Sequence, residues 1–81
     1  MTIPAKFREL IQLLIDNGWA FLVNPGTDSG GCPYLTVEAA HDNQKLYITW
    51  HTRETGTYRL FSCLHNARVV TLTKAMEAIT A

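Results

Sequence analysis

The apolar residues Phe7, Leu10, Ile11 and Leu14 recur at the spacing of one helical face, while Arg8, Glu9, Gln12 and Asp16 fall elsewhere. This predicts a helix that begins near residue 3. Pro4 suits a first turn, where its missing N–H costs nothing, Thr2 upstream offers a capping oxygen, and Asn17-Gly18 supplies a left-handed stop. From there the period changes to two. Trp19 to Val23 is short, aromatic and β-branched, and reads as a first strand ending at Asn24-Pro25-Gly26. The segment NPGTDSGGCP has the composition of a long, mobile loop. Tyr34 to Ala40 then alternates Leu35, Val37 and Ala39 with Tyr34, Thr36 and Glu38. After the turn His41-Asp42-Asn43-Gln44, a third strand runs from Lys45 to Thr52, with Leu46, Ile48 and Trp50 on one face and Tyr47, Thr49 and His51 on the other. Arg53-Glu54-Thr55-Gly56 is a hairpin loop, and Thr57 to Leu64 returns as a fourth strand. Arg68-Val69-Val70 adds a short extended piece, and Thr71 or Thr73 caps a last helix with Leu72, Ala75, Met76 and Ile79 as its stripe.

The elements assemble into an α+β fold of order α-β-β-β-β-α, a four-stranded antiparallel meander with both helices packed on one face. The other face is then left to solvent. With Leu46, Ile48 and Trp50 inward, Tyr47, Thr49 and His51 point outward. Fourth-strand register is read with Leu60 inward and Arg59 and Phe61 outward, because an unpaired buried arginine is costly. Trp19 and Trp50 are read as core residues.

Composition supports one folded domain over residues 1–81: the chain is 47% hydrophobic and 17% charged, enough apolar material for a core and too few charges for a disordered segment. A core this small makes a homodimer interface a natural supplement. Arg8, Glu9 and Asp16 interrupt the apolar opening, which argues against a signal peptide. No stretch approaches the ~20 apolar residues of a membrane span, so no membrane partner is expected. Cys32 and Cys63 are too few for a disulfide scaffold, which points to a cytoplasmic, reducing compartment.

The formal net charge is zero, unlike that of a general nucleic-acid binder. Its distribution is polar: residues 1–44 carry Lys6 and Arg8 against Glu9, Asp16, Asp28, Glu38 and Asp42, a net of −3, and residues 45–81 carry Lys45, Arg53, Arg59, Arg68 and Lys74 against Glu54 and Glu77, a net of +3.

The candidate binding residues are Tyr47, His51, Arg53, Arg59 and Phe61, which mix aromatic planes with cations. Such a face suits a protein partner, a second copy, or single-stranded nucleic acid, where bases stack on rings and arginine meets phosphate. Cys63-Leu64-His65 with His51 lacks the close-spaced ligand pairs of a metal site, and His41 reads as a solvated turn residue. Ser29-Gly30-Gly31 follows a strand, but neither a helix nor a Lys-Ser/Thr pair comes after it, so a phosphate cradle is not expected. No catalytic residue, metal or cofactor is assigned.

The opening LIQLLIDNGWAF resembles the start of the HicA family of small toxin ribonucleases, whose fold is like that of double-stranded-RNA-binding domains. That family carries its catalytic histidine in a glycine-serine-histidine triplet; the comparable stretch here, Ser29-Gly30-Gly31-Cys32-Pro33, holds no histidine. The segment WHTRETGTYRLFS resembles small accessory proteins encoded by phages of actinobacteria. That second resemblance implies a non-enzymatic module that binds a host protein, a phage protein or nucleic acid in a bacterial host; the favoured reading is a protein partner, host or phage, or a second copy of the chain. A small nucleic-acid binder and a divergent HicA-like ribonuclease are the alternatives.

Overall fold

The computed structural model describes residues 4–51 and 61–81. The first helix, α1 (Ala5–Asp16), starts slightly later than its spacing predicts. Pro4 is the N-cap, extended at φ −67° and ψ 153°, and its carbonyl accepts from the N–H groups of Phe7 and Arg8 at 3.1 and 3.2 Å. Thr2, the expected cap, lies outside the described residues. The C-terminus closes as anticipated. Gly18 is left-handed at φ 74°, its N–H donates to the Ile15 carbonyl at 3.3 Å, and the Trp19 N–H reaches back to the Leu14 carbonyl at 3.0 Å. These are the two reciprocal bonds of a Schellman stop, and the apolar contact that accompanies it is supplied by buried Trp19 and Leu14.

Five antiparallel strands follow among the described residues: β1 (Ala20–Thr27), β2 (Pro33–His41), β3 (Gln44–His51), β4 (Phe61–His65) and β5 (Arg68–Val70). They lie side by side in chain order, a meander with one more strand than expected. The extended piece at Arg68 becomes a ladder member because Asn66 and Ala67, at φ 51° and 66°, make a tight two-residue turn that folds it back on β4. Asn66 also latches this turn to the start of β3: its N–H donates to the Lys45 carbonyl, and its Oδ1 accepts from the Lys45 N–H, both at 2.9 Å.

β1 runs through Asn24-Pro25-Gly26 rather than ending there. Proline is tolerated because β1 is an edge strand with one neighbour. Gly26 is needed because the Tyr34 ring of β2 lies where a Cβ would stand. The long loop of the sequence reading thus shrinks to a short turn. The Asp28 carboxylate accepts from the N–H groups of Gly30 and Cys32 at 2.9 Å each, and Gly31 takes φ 79°.

Leu35, Val37 and Ala39 of β2 stand opposite Trp50, Ile48 and Leu46 of β3, and Phe61 and Cys63 of β4 extend two of these rows. This face meets Phe7, Leu10 and Leu14 of α1 and Ala75 and Ile79 of the last helix, α2 (Leu72–Thr80), in one core. Thr71 caps α2, its Oγ1 accepting from the Lys74 N–H at 3.2 Å. Phe61 corrects the fourth-strand reading. It pairs with Trp50 on the helix-covered side and packs against the core instead of facing solvent. The assigned facings of Arg59 and Leu60 lie outside the described residues.

Trp50 is 6% exposed and its ring centroid lies 6.2 Å from that of Phe7, so it couples α1 to the central strand. Trp50→Ala should destabilise the fold by roughly 3–5 kcal/mol and Leu10→Ala by roughly 2–5 kcal/mol. In urea titrations, a loss below about 1 kcal/mol for either would contradict the shared core. Ala67→Gly relieves a left-handed alanine and should raise stability by about 0.5–1 kcal/mol in the same assay.

Candidate functional site

Because both helices cover one side, the alternation of β2 and β3 sends every second side chain to the opposite face, which no helix among the described residues covers and on which Thr36 alone of these two strands is buried, at 5% exposure. Cross-strand register arranges that face in rows. One row crosses all five strands: Leu22, Glu38, Tyr47, Leu64 and Val69. Leu22 is 66% exposed, Tyr47 43% and Val69 78%. Leu22, Glu38, Tyr47 and Leu64 of this row, with the neighbouring Ala20, Ala40 and Ala67, line a shallow concavity of about 630 Å³, whose charged groups are Glu38 and Lys45. The alanines make it concave, since their small side chains leave the backbone low between Leu22, Tyr47 and Leu64.

The face changes character along the strands. Beyond the apolar row come Asn24, Thr36, Thr49 and Ser62, and then Tyr34 beside His51, with ring centroids 6.4 Å apart and planes at 53°. Of the five residues singled out in the sequence, Tyr47 lies in the concavity. His51 shares its face, but four residues of strand separate the two by about 13 Å, so they do not form one contact point. Phe61 is on the opposite side, and Arg53 and Arg59 lie outside the described residues. Leu22, Leu64 and Val69 were missed. Their signal was parity: Leu64 follows inward Cys63, and Leu22 follows Phe21, the cross-strand mate of buried Ala39.

The remaining polar clusters have structural partners. His41 is not a solvated turn residue: it closes β2, half-buried, its ring stacked on Trp19 at 5.3 Å. His65 Nε2 and Gln44 Oε1 are 2.9 Å apart. Among the described residues no three His, Cys, Asp or Glu side chains gather to hold a metal. The Ser29–Pro33 stretch, which the HicA resemblance sets against that family's catalytic triplet but which lacks its histidine, is the tip of the β1–β2 hairpin. Three of its N–H groups, the kind a phosphate would need, are already taken by Asp28: those of Gly30 and Cys32 by its carboxylate and that of Gly31 by its carbonyl. Among the described residues no helix is long and apolar enough to cross a membrane. Comparisons with models of known protein families, with curated proteins and with solved structures returned no match to this chain.

Cys63 is 2% exposed, and burial pushes its thiol up from 9.0 to about 11 by disfavouring the thiolate. A raised pKa means that the fold favours the protonated form. The resulting stabilisation is complete below pH 9 and is lost as pH rises towards 11. With a soluble disulfide reagent at pH 8, half-buried Cys32 should react first and Cys63 only after unfolding. Fast labelling of both thiols in the native protein would contradict the burial of Cys63.

Proposed function

We propose that this chain is a small non-enzymatic binding module that engages a protein partner through the uncovered face of its sheet. The observation that carries the reading is the set of apolar side chains Leu22, Tyr47, Leu64 and Val69, which with Glu38 between Leu22 and Tyr47 form one row across the sheet on the side opposite the helices. Exposed apolar rows of this kind mark interaction surfaces, and a tyrosine in a concave, apolar setting is a typical interface anchor. The concavity is floored by alanine and leucine, with Glu38 and Lys45 as its charged lining among the described residues. That composition favours apolar contact with a few orienting charges over proton transfer or phosphate capture. A host protein or a phage protein in a bacterial cytoplasm is the partner class we favour, in keeping with the resemblance of residues 50–62 to phage accessory proteins.

Immobilised protein is presented to nuclease-treated bacterial lysate, and the species retained by the wild type are compared with those retained by Tyr47→Ala and Leu64→Asp. Both variants alter the uncovered face, so their thermal midpoints should stay close to wild type. Tyr47→Ala should weaken the captured interaction by about 2 kcal/mol, some 30-fold in Kd, and Leu64→Asp should abolish it. Equal capture by all three would overturn the assignment of this face. Titration with short single-stranded and duplex oligonucleotides tests the alternative, for which affinity should fall steeply with added salt.

A further inference from the structure

We infer that β1 pairs along its open edge with β1 of a second copy of this chain, antiparallel and about a twofold axis through Leu22, to make one continuous sheet of the two. The inference does not depend on the function proposed for the sheet face.

The backbone of β1 defines what the edge offers. Asp28 donates its N–H to the Cys32 carbonyl at 2.9 Å, in the same register that sets Ala20 opposite Ala40. Antiparallel bonding alternates, so Ala20, Leu22, Asn24 and Gly26 bond to β2. Phe21, Val23 and Thr27 turn their N–H and C=O groups outward. Pro25 belongs to this second set, which is where a residue without an N–H is tolerated.

The two edges of the sheet differ. β5 is three residues long and begins with Arg68, the short and charged design that discourages pairing. β1 is eight residues long and carries no charge, and Leu22 and Val23, on its opposite faces, are 66% and 42% exposed. An uncharged strand is one that can meet its own copy without like-charge repulsion. Pro25 then selects the register. With the axis through Leu22, Phe21 and Val23 exchange all four N–H···O=C bonds with Val23 and Phe21 of the copy, and Pro25 stays outside the ladder. Leu22 faces Leu22 on the uncovered side, and Phe21 faces Val23 on the helix side. With the axis through Val23, each Pro25 would face Phe21 and leave its carbonyl without a donor, and Leu22 would face Asn24. The favoured register also joins the two concavities, because Leu22 lines each of them.

Sedimentation over a concentration series should show twice the 9.1 kDa chain mass. Val23→Pro removes an outward N–H without touching a β1–β2 bond, and Leu22→Lys sets two like charges across the axis. Both should sediment at the single-chain mass with an unchanged circular-dichroism spectrum. In a Cys32→Ser background, Leu22→Cys should form a disulfide-linked dimer under mild oxidation, because directly opposed residues of a non-hydrogen-bonded pair bring their Cα atoms to about 4.5 Å. Asn24→Cys should not. A wild-type protein of single-chain mass at every concentration would overturn the inference. So would dimers that survive Leu22→Lys, or linkage through Asn24→Cys in place of Leu22→Cys.

Discussion

The molecule is organised by the two-residue alternation shared by β2 and β3. Leu35, Val37 and Ala39 stand opposite Trp50, Ile48 and Leu46, so two central strands agree on which side is apolar, and a one-residue slip of either strand would turn its three side chains to water. That agreement decides where the helices go. With about 25 cal/mol gained per Å² of apolar surface buried, the stripes of α1 and α2 have one favourable place to settle, against this face. The opposite face is then uncovered by construction.

The helical layer is tied down by Trp19. Its backbone N–H completes the C-terminal stop of α1, its ring stacks on His41 at the end of β2, and its Nε1–H donates to the Ile79 carbonyl of α2 at 3.2 Å. One residue therefore joins both helices and the sheet, across a sequence separation of 60. Such a buried indole satisfies its polar handle while filling core volume. The long-range bond also places the end of α2 beside the junction where α1 turns into β1.

The uncovered face and the β1 edge share one cause. A two-helix layer covers the middle of a five-stranded sheet better than its margins, so Val23 on the helix side of β1 remains 42% exposed although its cross-strand partner Val37 is fully buried. Leu22, on the other side of the same strand, is open as well. The margin where the helices run out is thus also the margin where the backbone has an unpaired side. Alanines at positions 20, 40 and 67 lower the adjoining surface, so that the same region is apolar, accessible and concave.

Much of this was legible in the amino-acid order. Helical period in Phe7, Leu10 and Leu14, strand period in Leu46, Ile48 and Trp50, the Asn17-Gly18 stop and a threonine cap at Thr71 or Thr73, of which Thr71 is the one used, are local properties, written in residues close together in the chain. The outward facing of Tyr47 and His51 followed from the same alternation. Other features depended on partners distant in sequence. Phe61 turned inward because β4 registers on Trp50, and no nearby residue dictates that pairing. Asn24-Pro25-Gly26 looked like the end of a strand, yet it continues β1, because an edge accepts a proline and the Tyr34 ring covers the glycine. The short Arg68–Val70 segment became a strand only when a left-handed Asn66-Ala67 turn laid it against β4. Periodicity determined which residues are apolar together; the tertiary structure alone decided which strands stand side by side, and hence which apolar residues the helices leave uncovered.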